Sequence, residues 1–247
     1  MRDLYKARAR RSLELHLVPT EEHARAEHHG DRLSRMQLQV WNGFEFPALS
    51  ERDKLLTQAQ HLFKHFQTEW TRTSWMLEYA TAAQSHSGDG KLWQEVSSVV
   101  ERMPGAATAI GLPTLLTSRV FGANFPASFL SRTVGCIPPQ VRLWADRYQD
   151  DLVLVEHPGS KLYLLLQDVL CQDTPDWRAQ RRKKLFPSRL PPRINATSQA
   201  GNLSLRVKTI WHQFRFILKR LRFHISQGAR YKIESVRWKR FIAETRA

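Results

Sequence analysis

A long amphipathic stretch from Leu55 to Tyr79 limits the folds open to this chain more than any other feature of the sequence. Its apolar side chains recur at the spacing of a helix. Ser50, followed three residues later by Asp53, fits a capping box at its start. The pattern predicts one long helix that can break near Thr71.

Two histidines give this predicted helix its candidate chemistry. His61 and His65 are four residues apart and therefore share a face, with Lys64 beside them. The zinc-protease pattern HExxH is absent because Leu62 follows His61. Two interpretations stay open. Lys64 and Arg72 can neutralise a triphosphate beside an active site, or the two histidines are hydrogen-bonded in a packed interface on a partly solvated helix.

The rest of the sequence favours a mainly α-helical fold. The chain has 247 residues, of which 42% are hydrophobic, enough for a substantial core. KLWQEVSSVVERM, residues 91–103, has helical periodicity, whereas SLELHLV, residues 12–18, alternates like a strand. Two cysteines without CxxC spacing provide neither a disulfide framework nor a zinc site. We therefore expect helices with a small N-terminal β segment.

Positive charge is concentrated at one end of the chain. Residues 178–247 contain 19 Lys/Arg and two acids, for a net charge of +17, whereas residues 1–177 contain 19 and 21, for −2. This asymmetry predicts an anionic partner for the C-terminal region. Residues 176–202, rich in proline and cations, are expected to form a poorly ordered linker.

The segment after this linker is predicted to be a basic amphipathic helix. Its cations include Lys208, Arg215, Lys219, Arg220 and Arg222. Three interpretations stay open: the helix covers the helical domain with a solvated basic face, it lies on an anionic membrane surface, or its cations contact nucleic-acid phosphates. Its apolar stripe consists of Val207, Ile210, Trp211, Phe214, Ile217, Leu218, Leu221 and Ile225.

Three short motifs together resemble one protein family. They are the acid-capped Leu-Leu followed by HLFKH and WMLEY within residues 51–79, the LELH of residues 13–16, and the HPGSKLYLLL of residues 157–166. Over about residues 12–190 the chain is similar to uncharacterised bacterial nucleotidyltransferases, which join a small mixed-sheet catalytic domain to a helical region. The resemblance implies transfer of a nucleotide from a nucleoside triphosphate to an unknown acceptor. Lys64, Arg72, His61 and His65 would then bind the nucleotide.

Glu14 of LELH resembles the third of three carboxylates that hold two metal ions in that family. Such a pair stabilises the attacking and leaving oxygens of phosphoryl chemistry, and the resemblance implies Mg²⁺, which prefers oxygen ligands. The alternative is a strand residue that faces water. The Gly-Ser turn and Asp-x-Asp pair of the family are not found ahead of Glu14. We therefore expect the chain alone to be weakly active or inactive, with a missing half that a second chain can supply.

Two further segments look like phosphate or metal motifs without matching them. QDDLVLV, residues 149–155, has Gln149 where the family's DIDLLV strand has its first acid, so we interpret it as an ordinary strand or helix start. Gly159-Ser160-Lys161 lacks the rest of GxxxxGK[ST], which favours a helix cap over a phosphate loop.

The expected organisation has four parts. Residues 1–48 are the catalytic-domain remnant, 49–175 the helical domain, 176–202 the basic linker and 203–247 the basic helical tail. The N-terminus has no signal-peptide pattern and no long apolar run is found, which predicts a cytoplasmic protein, able to lie at the inner membrane through its tail. The alternative function is a non-enzymatic basic helical adaptor for an anionic membrane surface or nucleic acid.

Overall fold

The computed structural model describes residues 34–103, 105–155, 158–171, 174–187 and 203–246. In these ranges the chain is mainly α-helical with one small antiparallel sheet, which confirms the predicted fold class. The chain divides into two compact units, residues 1–53 and residues 54–247.

The first unit contains a β-hairpin of β1 (Gln37–Trp41) and β2 (Phe44–Ala48). The strands are joined by a turn at Asn42-Gly43, a pair of residues that favours turns, and its φ angles of 51° and 81° belong to the type I′ turn that matches the twist of a hairpin. The register pairs Gln37 with Ala48 and Trp41 with Phe44. Apolar side chains on the hairpin are exposed, Trp41 by 68% and Phe44 by 74%.

The predicted cap at Ser50 is present at the start of α1 (Glu51–Phe66). The Ser50 hydroxyl accepts a hydrogen bond from the Asp53 backbone N–H at 3.3 Å and donates one to the Asp53 carboxylate at 2.9 Å. Arg35 also donates to this buried carboxylate, at 3.0 Å. Burial alone would raise the pKa of Asp53, but the hydrogen bonds from Arg35 and Ser50 and the charge of Arg52 hold it below its usual value.

The long predicted helix is two helices, broken where the sequence allows. After α1 ends at Phe66, α2 (Thr73–Ser85) begins seven residues later. The Thr68 hydroxyl donates to the His65 carbonyl oxygen at 2.7 Å, a local bond that competes with continuation of the helix. The expected break near Thr71 is thereby confirmed.

Seven further α-helices and a short 3-10 helix (Val134–Cys136) complete the described chain. The Asp89 side chain caps the first of them by accepting from the Leu92 N–H at 3.0 Å. The seven α-helices are α3 (Gly90–Arg102), α4 (Ala106–Phe121), α5 (Ala127–Arg132), α6 (Pro139–Val153), α7 (Tyr163–Leu170), α8 (Trp177–Leu185) and α9 (Leu203–Arg246).

Two predicted segments differ from the observed elements. Residues 149–153 form the end of α6, so the prediction of a strand or a helix start there is wrong. The helix continues through this segment because Trp144, Tyr148 and Leu152 recur every four residues and are buried along one face. Within the predicted poorly ordered linker, Trp177–Leu185 form α8, so that prediction is wrong for these residues. The reason is Trp177, which is buried although most of its neighbours are cations.

A single apolar cluster lies inside the second unit. It draws on α1 to α7 and on parts of α8 and α9, and its largest fully buried side chains include Trp93, Trp144, Tyr79 and Phe129. Gly111 allows α4 to approach the segment after α5, because a Cβ there would lie 2.7 Å from the Thr133 carbonyl oxygen.

Candidate functional site

The two predicted histidines meet a tryptophan across the break between α1 and α2. The ring centroids of His61 and His65 are 4.4 Å apart, and those of each histidine and Trp75 are 4.7 Å and 4.2 Å apart. All three side chains are half-buried. The spacing of four residues puts both imidazoles on one face of α1, and the break turns α2 back so that Trp75 reaches them.

Arg72 adds a cation to this group. Its guanidinium carbon lies 5.5 Å from the ring centroid of Trp70 and 5.3 Å from that of Trp75, in cation–π contact with both. Arg72 itself is exposed. Thus three of the four predicted nucleotide-binding residues, His61, His65 and Arg72, are gathered around Trp75, which sequence reasoning did not single out. We call these four residues the Trp75 cluster.

Lys64 and an adjoining depression complete the surroundings of the Trp75 cluster. Lys64 is exposed and, being next to His65 in α1, lies on the neighbouring flank of that helix. The depression has a volume of about 220 Å³ and is lined by Thr57, Gln58, His61, Trp75 and Glu78. This volume is below that of typical ligand pockets, about 300–1,000 Å³, so the depression is too small to enclose a whole nucleoside triphosphate.

The predicted metal ligand Glu14 lies outside the described residues. Within residues 34–246, wherever the structure describes the chain, no group of three His, Cys, Asp or Glu side chains is arranged to hold a metal ion. The donors in this part of the chain therefore do not fit the Mg²⁺ site that the resemblance implies.

The Gly-Ser-Lys segment forms a buried junction and not a phosphate loop. The Lys161 side chain is fully buried, donates to Glu69 Oε1 at 3.3 Å and also donates to the Lys184 carbonyl oxygen. Its ammonium group is thus turned into the protein. The Ser160 hydroxyl accepts from the Leu162 N–H at 3.2 Å in a local turn ahead of α7. The N-cap residue of α7 is Leu162, without a side-chain cap bond, so the predicted helix cap at Gly159-Ser160-Lys161 is wrong.

Glu69 connects this junction to the C-terminal helix. Its second carboxylate oxygen, Oε2, accepts from Arg220 of α9 at 2.9 Å. Burial lowers the pKa of Lys161, and the charge of Glu69 partly opposes that shift. Burial also lowers the pKa of His224, with the charges of Lys161 and Arg220 acting in the same direction. These contacts join parts of the chain that are distant in sequence.

A larger cleft lies beside Asp168, where α7, α8 and α9 meet. It has a volume of about 990 Å³. The Asp168 carboxylate accepts from Trp177 Nε1 at 2.7 Å, from Arg181 at 2.6 Å and from the Tyr231 hydroxyl at 2.9 Å. Burial and then the charge of Asp168 raise the pKa of Tyr231. Because the Asp168 carboxylate of α7 binds groups of α8 and α9, it links these three helices.

The helix α9 has two apolar faces that lie on opposite sides. One face, in the second half of the helix, is buried at Phe223, Tyr231 and Trp238, of which Tyr231 and Trp238 belong to the apolar core. The other face consists of residues that are 47% to 69% exposed and fall within an arc of roughly 100° at the helical period. We call it the exposed stripe; its members are Val207, Ile210, Trp211, Phe214, Leu218, Leu221 and Ile225.

Cations border the exposed stripe. Arg215, Lys219 and Arg222 are exposed and lie on one flank of it. The interpretation in which the predicted stripe covers the helical domain is wrong for these seven residues, because another face of α9 does so. No described helix has an apolar run long enough to cross a bilayer.

Comparison with protein-family models, with curated proteins and with solved structures identifies no match to this chain.

Proposed function

We propose that this chain is a nucleotidyltransferase-type protein in which the Trp75 cluster binds the phosphates of a nucleoside triphosphate. The observation that carries the proposal is the gathering of His61, His65 and Arg72 around one indole ring. The two histidines come from the HLFKH motif and Trp75 from the WMLEY motif, on which the family resemblance depends.

The roles within the Trp75 cluster follow from the chemistry of its side chains. The Arg72 guanidinium presents a planar fork of N–H donors that matches two phosphate oxygens, and its contacts with Trp70 and Trp75 limit the orientations of that fork. The imidazole of His61 lines the depression, and the imidazole of His65 lies against the same indole ring. Lys64 adds an exposed, flexible cation for an outer phosphate.

The hairpin gives separate support to this assignment. Its two strands expose Trp41, Phe44 and Phe46 on one face and Leu38 and Val40 on the other. A two-stranded hairpin is at best marginally stable in water, and such apolar faces suit a sheet that is extended and covered by further strands or helices. The mixed sheet of a nucleotidyltransferase catalytic domain is extended and covered in this way. The Mg²⁺ implied by the resemblance stays a prediction that depends on Glu14.

Binding of a fluorescent nucleoside triphosphate analogue to the full chain tests the proposed role of the Trp75 cluster. We expect Arg72→Gln to weaken binding by roughly tenfold to a hundredfold, since a hydrogen bond to a charged group contributes about 1.5–3 kcal/mol. The matched control is Arg102→Gln, which removes another exposed arginine near a helix end. A full chain that binds no triphosphate, or equal affinities for Arg72→Gln and the control, would contradict the proposal.

Transfer itself is measured with a labelled triphosphate, Mg²⁺ and a cell extract that supplies acceptors. We expect the chain alone to transfer weakly, because sequence resemblance supplies Glu14 and not the Asp-x-Asp pair. Strong transfer that is abolished by Glu14→Ala would show instead that the chain holds a sufficient set of carboxylates.

A further inference from the structure

We propose that α9 binds the surface of an anionic phospholipid membrane through the exposed stripe. This interaction is independent of nucleotide binding at the Trp75 cluster. The starting observation is that seven aliphatic and aromatic side chains are exposed along residues 207–225 of α9, whereas its buried side chains, Phe223, Tyr231 and Trp238, lie on another side and toward the end of the helix. Exposed apolar patches of this kind mark interaction surfaces.

The dimensions of the exposed stripe suit a helix that lies in the plane of a membrane. From Val207 to Ile225 the helix rises by roughly 27 Å, at about 1.5 Å per residue. No described helix can span a bilayer, and an amphipathic helix buries its apolar face only about 5–10 Å into the interface. The large aromatic members, Trp211 and Phe214, are in ring contact at 5.9 Å and belong to the side-chain types that enter the headgroup boundary.

The positive charge of α9 indicates that the membrane surface it binds is anionic. Residues 203–233 contain eight Lys/Arg and no Asp or Glu; the first acid of α9 is Glu234. Two of these cations have partners in the helical core, since Arg220 pairs with Glu69 and Arg230 with Asp151. Arg215, Lys219 and Arg222 are instead exposed beside the stripe, where lipid phosphates would lie when the apolar side chains enter the membrane.

The same charges argue against a second copy of this chain as the occupant. Trp211, Phe214, Leu218 and Leu221 have the spacing of a coiled-coil seam. Residues beside such a seam face the partner helix. In a dimer, Arg215 of each copy would lie beside the seam and would meet no acid. A nucleic acid would satisfy the cations through its phosphates but would leave the aliphatic members of the stripe in water. A membrane surface satisfies both sets of side chains.

Co-sedimentation of the full chain with vesicles tests this proposal. One set of vesicles contains phosphatidylcholine alone and the other contains phosphatidylcholine with phosphatidylglycerol. We expect binding to the anionic vesicles that weakens with added salt. The double variant Leu218→Asn with Leu221→Asn should reduce the partition coefficient roughly tenfold or more. Its matched control replaces two exposed leucines elsewhere, Leu77→Asn with Leu154→Asn.

The cation requirement has its own pair of variants. Arg215→Gln with Arg222→Gln should reduce the partition coefficient roughly fivefold for each charge, the effect of about 1 kcal/mol per cation near an anionic surface. The matched control is Arg102→Gln with Arg182→Gln, which removes the same charge from exposed positions outside α9. Quenching of tryptophan emission by brominated lipid, lost on Trp211→Phe, gives a readout that does not depend on the polar substitutions.

Four results would overturn the proposal. They are equal binding to neutral and anionic vesicles, no binding to either, and an oligomer in light scattering that the double leucine variant converts to monomers. The fourth is nucleic-acid binding that needs Arg215 and Arg222 but not the leucines, without vesicle binding.

Discussion

At the scale of single residues, the contacts around Glu69 show how closely parts of the chain approach. The Glu69 carbonyl oxygen accepts from the Ser160 N–H at 2.8 Å. This approach requires a glycine before Ser160: Gly159 has φ +90°, and a Cβ there would lie 1.7 Å from the same oxygen. Both the backbone conformation and the space therefore exclude a side chain.

Gly159→Ala is predicted to lower the free energy of unfolding by about 2–4 kcal/mol, because it adds a backbone clash to an unfavourable φ. Gly122→Ala is the matched control, since Gly122 also has a positive φ, +63°, but open space around the Cβ position. We expect that control to cost about 1 kcal/mol from the backbone conformation alone. Urea unfolding of both variants measures the difference, and equal costs would show that the contact with Glu69 relaxes freely.

His224 gives a prediction for the pH dependence of stability. Its pKa is below the ordinary 6.5 because of burial and the charges of Lys161 and Arg220, with Glu69 partly opposing. Below pH 6.5 the unfolded chain therefore binds a proton that the folded protein does not, so stability is lost as pH falls from 6.5 toward the lowered pKa. The loss is at most about 1.4 kcal/mol per pH unit.

The measurement for His224 compares the urea unfolding of the natural chain and His224→Gln from pH 7.5 to pH 5. We expect the free energy of unfolding to fall less steeply with acid in His224→Gln. Parallel curves would mean that the folded protein accommodates the charged imidazole.

At the scale of elements, α9 presents the same residue type on both of its faces. Trp238 is 3% exposed and packs in the core, whereas Trp211 is 56% exposed in the stripe. A helix normally directs one apolar stripe to the core. The second stripe therefore adds little to the folded state of the isolated chain, which is the physical basis for assigning it to a partner.

Trp238→Ala is predicted to lower the free energy of unfolding by about 3–5 kcal/mol, the usual cost of emptying a buried aromatic site. Trp211→Ala should change it by less than about 0.5 kcal/mol because the side chain is already in water. Urea unfolding monitored by circular dichroism without lipid makes the comparison. A large cost for Trp211→Ala would show that its side chain packs within the protein.

At the scale of the whole molecule, the half-buried carboxylates of Glu69 and Asp168 link the C-terminal helices to the rest of the helical unit. Asp168 accepts from groups of α8 and α9 that lie 9, 13 and 63 residues away in sequence. Because one carboxylate satisfies three donors, its removal leaves each of them without this acceptor.

Asp168→Ala is predicted to lower the free energy of unfolding by about 3–5 kcal/mol and to increase hydrogen exchange in α8. The control is Asp146→Ala, whose partner Arg119 lies 2.6 Å away, the same distance as Arg181 from Asp168. Since the Asp146 pair is more exposed, we expect a cost below about 1 kcal/mol. Similar effects of the two substitutions would contradict the linking role of Asp168.

The sequence by itself determined the features that depend on near neighbours. The Ser50 cap, the Asn42-Gly43 turn, the break near Thr71 and the mainly helical fold all follow from local backbone preferences and from the period of apolar residues. The shared face of His61 and His65 follows from the same helical period. Their contact with Trp75 depends on the direction in which α2 runs after the break, and no local sequence pattern specifies that direction.

Only the tertiary structure decided which residues are buried when the local pattern offers more than one solution. Lys161, next to a glycine and a serine, became a buried cation because Glu69, far away in sequence, supplies its partner. In α9 both faces are apolar, so hydrophobic periodicity cannot choose between them. The choice was made by the complementary surface around Trp144 and Tyr148 on α6, which receives Trp238 and leaves the exposed stripe in water.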